Sequence, residues 1–348
     1  MFNNTLIVGF GIAGVTIAHR LHNSNHKFKI ISDQSQCASR TAGGVINPIA
    51  LKRYKKAWKA DVFYHEAIKF YRFLETRLDA DLLKSKPIYK ALNSAEDQND
   101  FLIASDRNFL DQFLSPKILS DSKIFTTTDV IGEVKSTFTI DLNSLLDSSA
   151  EFFRDIYISD SFRFEELEFL ENGHFLYRNE TFTHVIFCEG FGININPFFN
   201  DLPIYGNKGE YLIISSTDLN YQEVILKSRY FLIPLGGDLY KFGANYDRKS
   251  LNNQPTKETR DHLKIEFEKM ITCEYEIVNQ VAGVRPTVKD RKPVLGCHPK
   301  HCNLYVFNGF GSRGVLAAPS LSETLYEFIF NDKELHKEIN VKRFYSPL

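Results

Sequence analysis

Residues 9–14 read Gly9-Phe10-Gly11-Ile12-Ala13-Gly14, with glycine at the first, third and last positions of the run. This spacing suits a cradle for a dinucleotide pyrophosphate. The first glycine permits a tight turn, the second lets backbone N–H groups approach the phosphates, and the third allows a helix to pack closely on the preceding strand. The helix N-terminus, beginning at Ile12 and Ala13, then faces the anion. Such a cradle needs an acid at the end of the next strand to hold a ribose hydroxyl, and Asp33 stands at about the expected twenty-residue offset. The elements that must position these groups are legible around them. Leu6-Ile7-Val8 reads as a buried strand, Val15, Ile17, Ala18 and Leu21 as one face of a helix, and Phe28-Lys29-Ile30-Ile31-Ser32 as the second strand.

Composition sets bounds. A chain of 348 residues that is 43% hydrophobic buries a core large enough for two domains. Its net charge of -1 gives no global attraction to nucleic acid or to an anionic membrane. The five cysteines (Cys37, Cys188, Cys273, Cys297 and Cys302) are odd in number, widely spread and without a CxxC pair. They fit reduced thiols in a cytoplasmic protein rather than a disulfide framework or a zinc site, and the histidines show no metal-ligand spacing. The apolar start lacks the basic region of a secretion signal, and no later run is long enough to span a bilayer. One local basic cluster, Lys52, Arg53, Lys55, Lys56 and Lys59, has Tyr54 and Trp58 interleaved. That mixture suits RNA phosphates and base stacking, or more simply a solvated loop.

Periodicity and glycine punctuation divide the chain. Residues 1–85, 141–200 and 279–348 carry the dinucleotide-domain pattern. It includes a helix through Phe63, Ala67, Phe70, Tyr71, Leu74 and Leu78, a second through Leu142, Leu145, Leu146, Phe152 and Phe153, and the strands His184–Phe187 and Leu304–Phe307. Residues 86–140 and 201–278 hold alternating strands around Ile88, Tyr211, Leu232 and Tyr240. The predicted fold is α/β: a Rossmann-like cofactor domain, discontinuous in sequence, and a second α+β domain built on a mixed or antiparallel sheet.

Near the C-terminus stand Gly283-Val284-Arg285-Pro286-Thr287-Val288-Lys289-Asp290-Arg291-Lys292-Pro293-Val294-Leu295-Gly296 and Gly309-Phe310-Gly311-Ser312-Arg313-Gly314-Val315-Leu316-Ala317-Ala318-Pro319. With the N-terminal glycine run, these motifs resemble the D-amino-acid oxidase and glycine oxidase family of FAD-dependent oxidoreductases. The wording Gly309–Gly314 is also similar to the flavin domain of the bacterial enzyme that trims carboxymethylaminomethyl-uridine in tRNA. The resemblance implies FAD, non-covalently held because no histidine or cysteine occupies a tethering position. It further implies Arg285 as a carboxylate anchor. Gly309, Gly311, Ser312 and Gly314 are placed by it at the isoalloxazine edge, with the last helix beginning near Pro319 or Ser320. Arg313 would supply either a cation there or a second carboxylate contact. Ser39, Arg40, Gly43 and Gly44 match the segment that runs beneath the flavin, and Val185 and Gly190 are expected beside the adenine half.

The activity this resemblance implies is oxidation of the C–N bond of a small amino acid or secondary amine, with oxygen or another acceptor reoxidising the flavin. Such hydride chemistry belongs to the cofactor, and a free amine needs no protein base. The alternatives are removal of a carboxymethyl group from a tRNA uridine, or a flavin-binding scaffold without turnover. One departure from the family stands out: Phe231 occupies the position of a substrate-touching tyrosine. Tyr230 cannot replace it, since adjacent strand residues point to opposite faces. Tyr246 is the alternative hydroxyl.

Overall fold

A computed structural model of the chain describes residues 4–345. The apolar strand Asn4–Val8 lies inside a six-stranded sheet, parallel to Lys27–Ile31 on one side and to His184–Phe187 on the other. Tyr157–Ile158 and Leu304–Asn308 extend the parallel set, and Val294–Cys297 closes one edge antiparallel to Leu304–Asn308. Strands covered on both faces must be apolar throughout, as Leu6-Ile7-Val8 is. One face packs on the helices Ile12–Asn23 and Gly314–Phe330, whose Ala18, Leu21, Ala318 and Leu321 share a core with Phe70 and Leu74 of the helix Ala60–Leu78. The other face is sealed by Phe175, Tyr177 and Phe182 from a small three-stranded sheet. Two polypeptide stretches distant in sequence thus flank the first strand, as the discontinuous reading predicts.

The second sheet has eight strands in the order Glu276–Val288, Ile204–Ser215, Leu239–Gly243, Phe231–Gly236, Ile225–Lys227, Ile88–Ala91, Val130–Val134, Leu114–Ser120. Every neighbouring pair is antiparallel except Ile225–Lys227 with Ile88–Ala91, so the sheet is mixed. Its strands alternate. Leu212, Ile214, Leu226, Leu232 and Phe242 pack on Leu263, Phe267 and Met270 of the helix Lys257–Met270. The intervening residues, including Tyr211, Lys227, Phe231, Ile233 and Lys241, face the opposite way, toward the cofactor sheet and its helices.

Two expectations need correction. Residues 279–288, expected with the cofactor sheet, belong to the second one. They form an antiparallel ladder running from Ile204 opposite Val288 to Ser215 opposite Glu276, and that continuous pairing decides their place. The last helix starts at Gly314 rather than near Pro319 or Ser320, and Pro319 lies inside it. Proline has no N–H to offer the carbonyl four residues back, which belongs to Val315. The buried Tyr71 hydroxyl donates to that carbonyl at 2.8 Å instead, so the helix runs through the proline. No helix among the described residues is long and apolar enough to cross a membrane.

Candidate active site

At the first turn, close packing forbids side chains. Gly9 has φ +93°, and a Cβ there would lie 2.6 Å from the Cys188 carbonyl oxygen. A Cβ on Gly14 would lie 2.1 Å from the Gly9 carbonyl oxygen, so helix and strand meet backbone to backbone. The helix Ile12–Asn23 begins after Gly11 with no acid in its first turn. Ser39 Oγ accepts the Ile12 N–H at 2.9 Å and sits beside Gly11. Ala13, one residue on, is buried. The helix end therefore presents its positive pole with only a neutral hydroxyl against it.

Asp33 follows Lys27–Ile31 and accepts from the Ser35 N–H at 2.9 Å and the Ser161 hydroxyl at 2.7 Å. Partial burial works to raise its pKa, but these hydrogen bonds prevail and hold it below the usual aspartate value. Gly190, at φ +57°, passes over the Gln36 side chain in the loop after Asp33, and its carbonyl accepts from Asn308 Nδ2 at 2.8 Å. Arg40 lies at the exposed rim, paired with Asp147 at 2.6 Å. Val185 does not meet the expectation of a cofactor contact. Its side chain is fully buried in the core behind the sheet, and its N–H goes to the Asn303 carbonyl, because it is an interior residue of a central strand. Glu189 was not singled out from sequence. It is half-buried with Asp33 nearby, and burial pushes its carboxyl up to about 8 against the opposing pull of the Asn196 amide, 2.7 Å away.

A second set of glycines lies further along. Cβ atoms on Gly43 and Gly44 would fall 2.4 Å from Ile233 Cδ1 and 2.1 Å from the Ile140 carbonyl oxygen, respectively. Gly309 and Gly311 both have positive φ, +77° and +56°. The Gly311 N–H donates to the Pro286 carbonyl at 2.8 Å, seating this loop on the strand that carries Arg285. Ser312 is exposed. A Cβ on Gly314 would meet Ile12 Cγ2 at 3.0 Å, so the starts of the first and last helices converge. Arg313, between them, donates to the Asn47 carbonyl at 3.2 Å, just beyond the Gly43–Gly44 segment.

The inner face of the eight-stranded sheet forms the facing wall. Arg285 lies across Gly209 of the neighbouring strand, where a Cβ would be 2.0 Å from its Nη2. It does not pair with Asp290, which is engaged by Arg343 at 3.3 Å. Its contacts are a long bond to the Asn245 carbonyl, 3.4 Å, and the ring of Tyr246 at 5.0 Å. Tyr246 is 70% exposed and covers the guanidinium from outside. Phe231 sits on the same face as Arg285. Tyr230 points to the other face, where its hydroxyl meets His262 Nε2 at 3.1 Å.

Tyr211 and Lys241 were missed by sequence. The Tyr211 hydroxyl lies 3.3 Å from where a Gly43 Cβ would be. Burial holds its phenol above the usual value, with the Arg285 guanidinium pulling it down. Lys241, 7% exposed, donates to the carbonyls of Thr41 and Ala42 at 3.3 and 3.1 Å, immediately before Gly43. Burial lowers its pKa to about 8. Both were detectable as alternate residues of strands whose other face is apolar.

Within the basic cluster, Tyr54 is buried with its hydroxyl on Asp97 at 2.5 Å, and Trp58 packs on Phe63 with its indole N–H on Glu338. The Tyr54 ring, 3% exposed, is closed off from stacking on bases. A surface cavity of about 480 Å³ beside them, lined by Lys55, Lys56, Arg107 and Phe109 among others, includes neither arginine of the site nor any of the glycine turns.

Residues 4–327 match the family described as "DAO: FAD dependent oxidoreductase". The chain belongs to that family. Among curated proteins it is similar to glycine oxidase of Bacillus subtilis (strain 168), 24% identical over 157 residues, an alignment covering 44% of this chain and 39% of that protein. The fold is that of solved DAO-type structures. Glycine oxidase from Geobacillus kaustophilus superposes with a TM-score of 0.80 at 17% identity over 96% of both chains. Iminodiacetate oxidase from Chelativorans sp. BNC1 gives 0.79 at 15%, covering 96% of this chain and 97% of that one. L-proline dehydrogenase from P. horikoshii gives 0.77 at 16%, covering 98% and 96%. A DAO cofactor, FAD, fits the geometry: a helix N-terminus with no acid in its first turn and only a neutral hydroxyl against it, a glycine turn at Gly9 and Gly14 where strand and helix meet backbone to backbone, and an acid at the strand end.

Proposed function

We propose that this DAO-family oxidoreductase oxidises the C–N bond of a small amino acid or secondary amine, giving an imine that water hydrolyses. One observation carries the reading. Arg285 presents a guanidinium on the wall opposite Gly43 and Gly44, with no carboxylate within ion-pair distance among the described residues. A guanidinium fork matches a carboxylate through two parallel N–H···O bonds, so the vacant partner is a substrate acid. Glycine, iminodiacetate and L-proline, named for the relatives, all join an amine carbon to a carboxylate.

FAD, when bound, supplies the two-electron acceptor. Gly9, Gly11, Ile12, Ala13 and Gly14 hold its pyrophosphate, Asp33 its ribose, and Gly43, Gly44 and Gly309–Gly314 its ring, without a covalent link. Arg285 fixes the carboxylate, and the Tyr211 hydroxyl stands beside it where Phe231 offers none. Tyr246 screens the guanidinium from water. The Gly314 helix start and the cations of Arg313 and Lys241 favour negative charge developing on the ring side. No protein base is needed, because the substrate amine enters neutral.

The test is the visible spectrum of the anaerobic holoprotein during addition of glycine, sarcosine, proline and D- and L-amino acids. Bleaching by one of them is the expected outcome, weakened in Arg285→Ala. A yellow protein that none bleaches overturns the reading, and a flavin that stays with acid-denatured protein overturns the non-covalent attachment.

A further inference from the structure

Beyond Phe231 on the same wall lies a second cationic position. In the register of the sheet, Lys227 stands directly opposite Lys90 on one side and Phe231 on the other. All three face the cofactor layer, since their alternates Leu226, Ala91 and Leu232 lie in the core under the opposite face. The Lys227 ammonium is 4.9 Å from the centre of the Phe231 ring and donates to the carbonyls of Ser228 and Arg229 at 2.6 and 2.7 Å. An ammonium has three N–H donors, so one remains. No carboxylate of the described residues lies within ion-pair distance of Lys227. Lys90, 8% exposed, is paired with Asp97 at 2.6 Å and rests on the Tyr54 ring, so Asp97 is already engaged by an ammonium and a phenol. Burial and the neighbouring Lys90 charge bring Lys227 down to about 7, which marks the position as one cation too many.

We infer that Lys227, backed by Lys90, is a subsite for a second anionic group on the substrate, so that the enzyme prefers amines carrying a distal carboxylate in addition to the one held by Arg285. The inference rests on the amine-oxidation reading. Its span is consistent with the sheet. The Arg285 guanidinium lies over the strand Ile204–Ser215, and Lys227 stands on Ile225–Lys227, three strand spacings away, or ~14 Å between the strands at about 4.8 Å each, with the Phe231 ring beside its ammonium. With a hydrogen-bond length at each end, that leaves room for two carboxylates joined by a short chain. Phe231 then serves as the apolar floor between the two charged ends, a role its tyrosine counterpart would fill less well.

Binding tests the idea apart from turnover. Calorimetric titration of the holoenzyme with glutarate and adipate, against the monoacids of equal length, should show the diacids at least tenfold tighter. Lys227→Met should abolish that advantage while leaving monoacid affinity unchanged, Lys227→Arg should retain it, and Arg285→Met should weaken both classes. Equal binding of mono- and diacids by the wild type, or an advantage that survives in a folded Lys227→Met protein, overturns the subsite. Because these acids carry no amine, the result stands whether or not any amine bleaches the flavin.

Discussion

The two faces of the eight-stranded sheet both carry lysine or arginine out of water, and they treat the charge in opposite ways. On the helix-packed face Lys208 is fully buried, but Glu210 lies 3.3 Å away, and Asn252 and the Gln254 carbonyl take further N–H bonds. Glu210 in turn accepts from the Thr256 N–H, the Thr256 hydroxyl and Gln280. Both charges there are met by protein partners, and the pair ties the strand to the segment entering the helix Lys257–Met270. On the other face Arg285, Lys227 and Lys241 have carbonyls and rings for company, with no carboxylate within ion-pair distance among the described residues. A compensated buried charge organises a fold, whereas an uncompensated one reserves its energy for a ligand.

The comparison is broken most sharply by exchanging the two behaviours. Glu210→Ala strands Lys208 in the core and is expected to lower the unfolding free energy by about 3–5 kcal/mol in urea titrations. Arg285→Met, by contrast, should leave the urea midpoint within error of wild type and reduce kcat/KM about 10²–10³-fold, the worth of two charge-assisted hydrogen bonds. If Arg285→Met unfolds the protein as readily as Glu210→Ala does, the distinction between the faces fails. A smaller effect tests whether a satisfied polar contact remote from the wall is purely structural. Tyr71→Phe leaves the Val315 carbonyl without a donor and should cost about 1–3 kcal/mol, with KM unchanged when the protein is assayed well below its melting temperature.

The smallest effect is a slope. Lys241 has a folded pKa of about 8, below its ordinary 10.5. Between those values the unfolded chain holds a proton that the folded chain has released, so the unfolding free energy rises with pH across that window. Lys241→Met removes this contribution, and the gain in stability between pH 7.5 and 9.5 should be smaller than in wild type. Identical gains in the two proteins would show that Lys241 is not a charge held against its preference.

Much of this was legible in one dimension because it depends on local sequence. Gly9 and Gly14 announce a turn and a close helix, and Asp33 ends a strand that Phe28, Ile30 and Ile31 declare. Alternation also placed Tyr230 and Phe231 on opposite faces. The features that escaped depend on which strands become neighbours. Lys90 and Lys227 lie far apart in the chain, and each alone reads as a polar residue of a half-solvated strand; only the parallel pairing of their strands brings them together. Tyr211 was hidden for the same reason, since its value comes from Gly43, a residue of another element. Val185 erred in the reverse direction, since strand membership alone does not say whether a residue borders the cofactor or the core. The start of the last helix was misplaced because proline is read as a boundary, and a tyrosine distant in sequence had already removed the reason for stopping.

The close approach of Gly9 to Cys188 and of Gly14's helix to Gly314 has a consequence in time. A ribosome adds about 5–20 residues per second, so ~15–60 s separate the appearance of the first glycine turn from that of the last helix. During that interval the strand Asn4–Val8, buried at Leu6, Ile7 and Val8, has one neighbour from its own region and waits for the others. A chain cut short before Gly314 would leave the ribosome with its first glycine turn missing the last helix as a neighbour and with the apolar flank of its first helix open to aggregation.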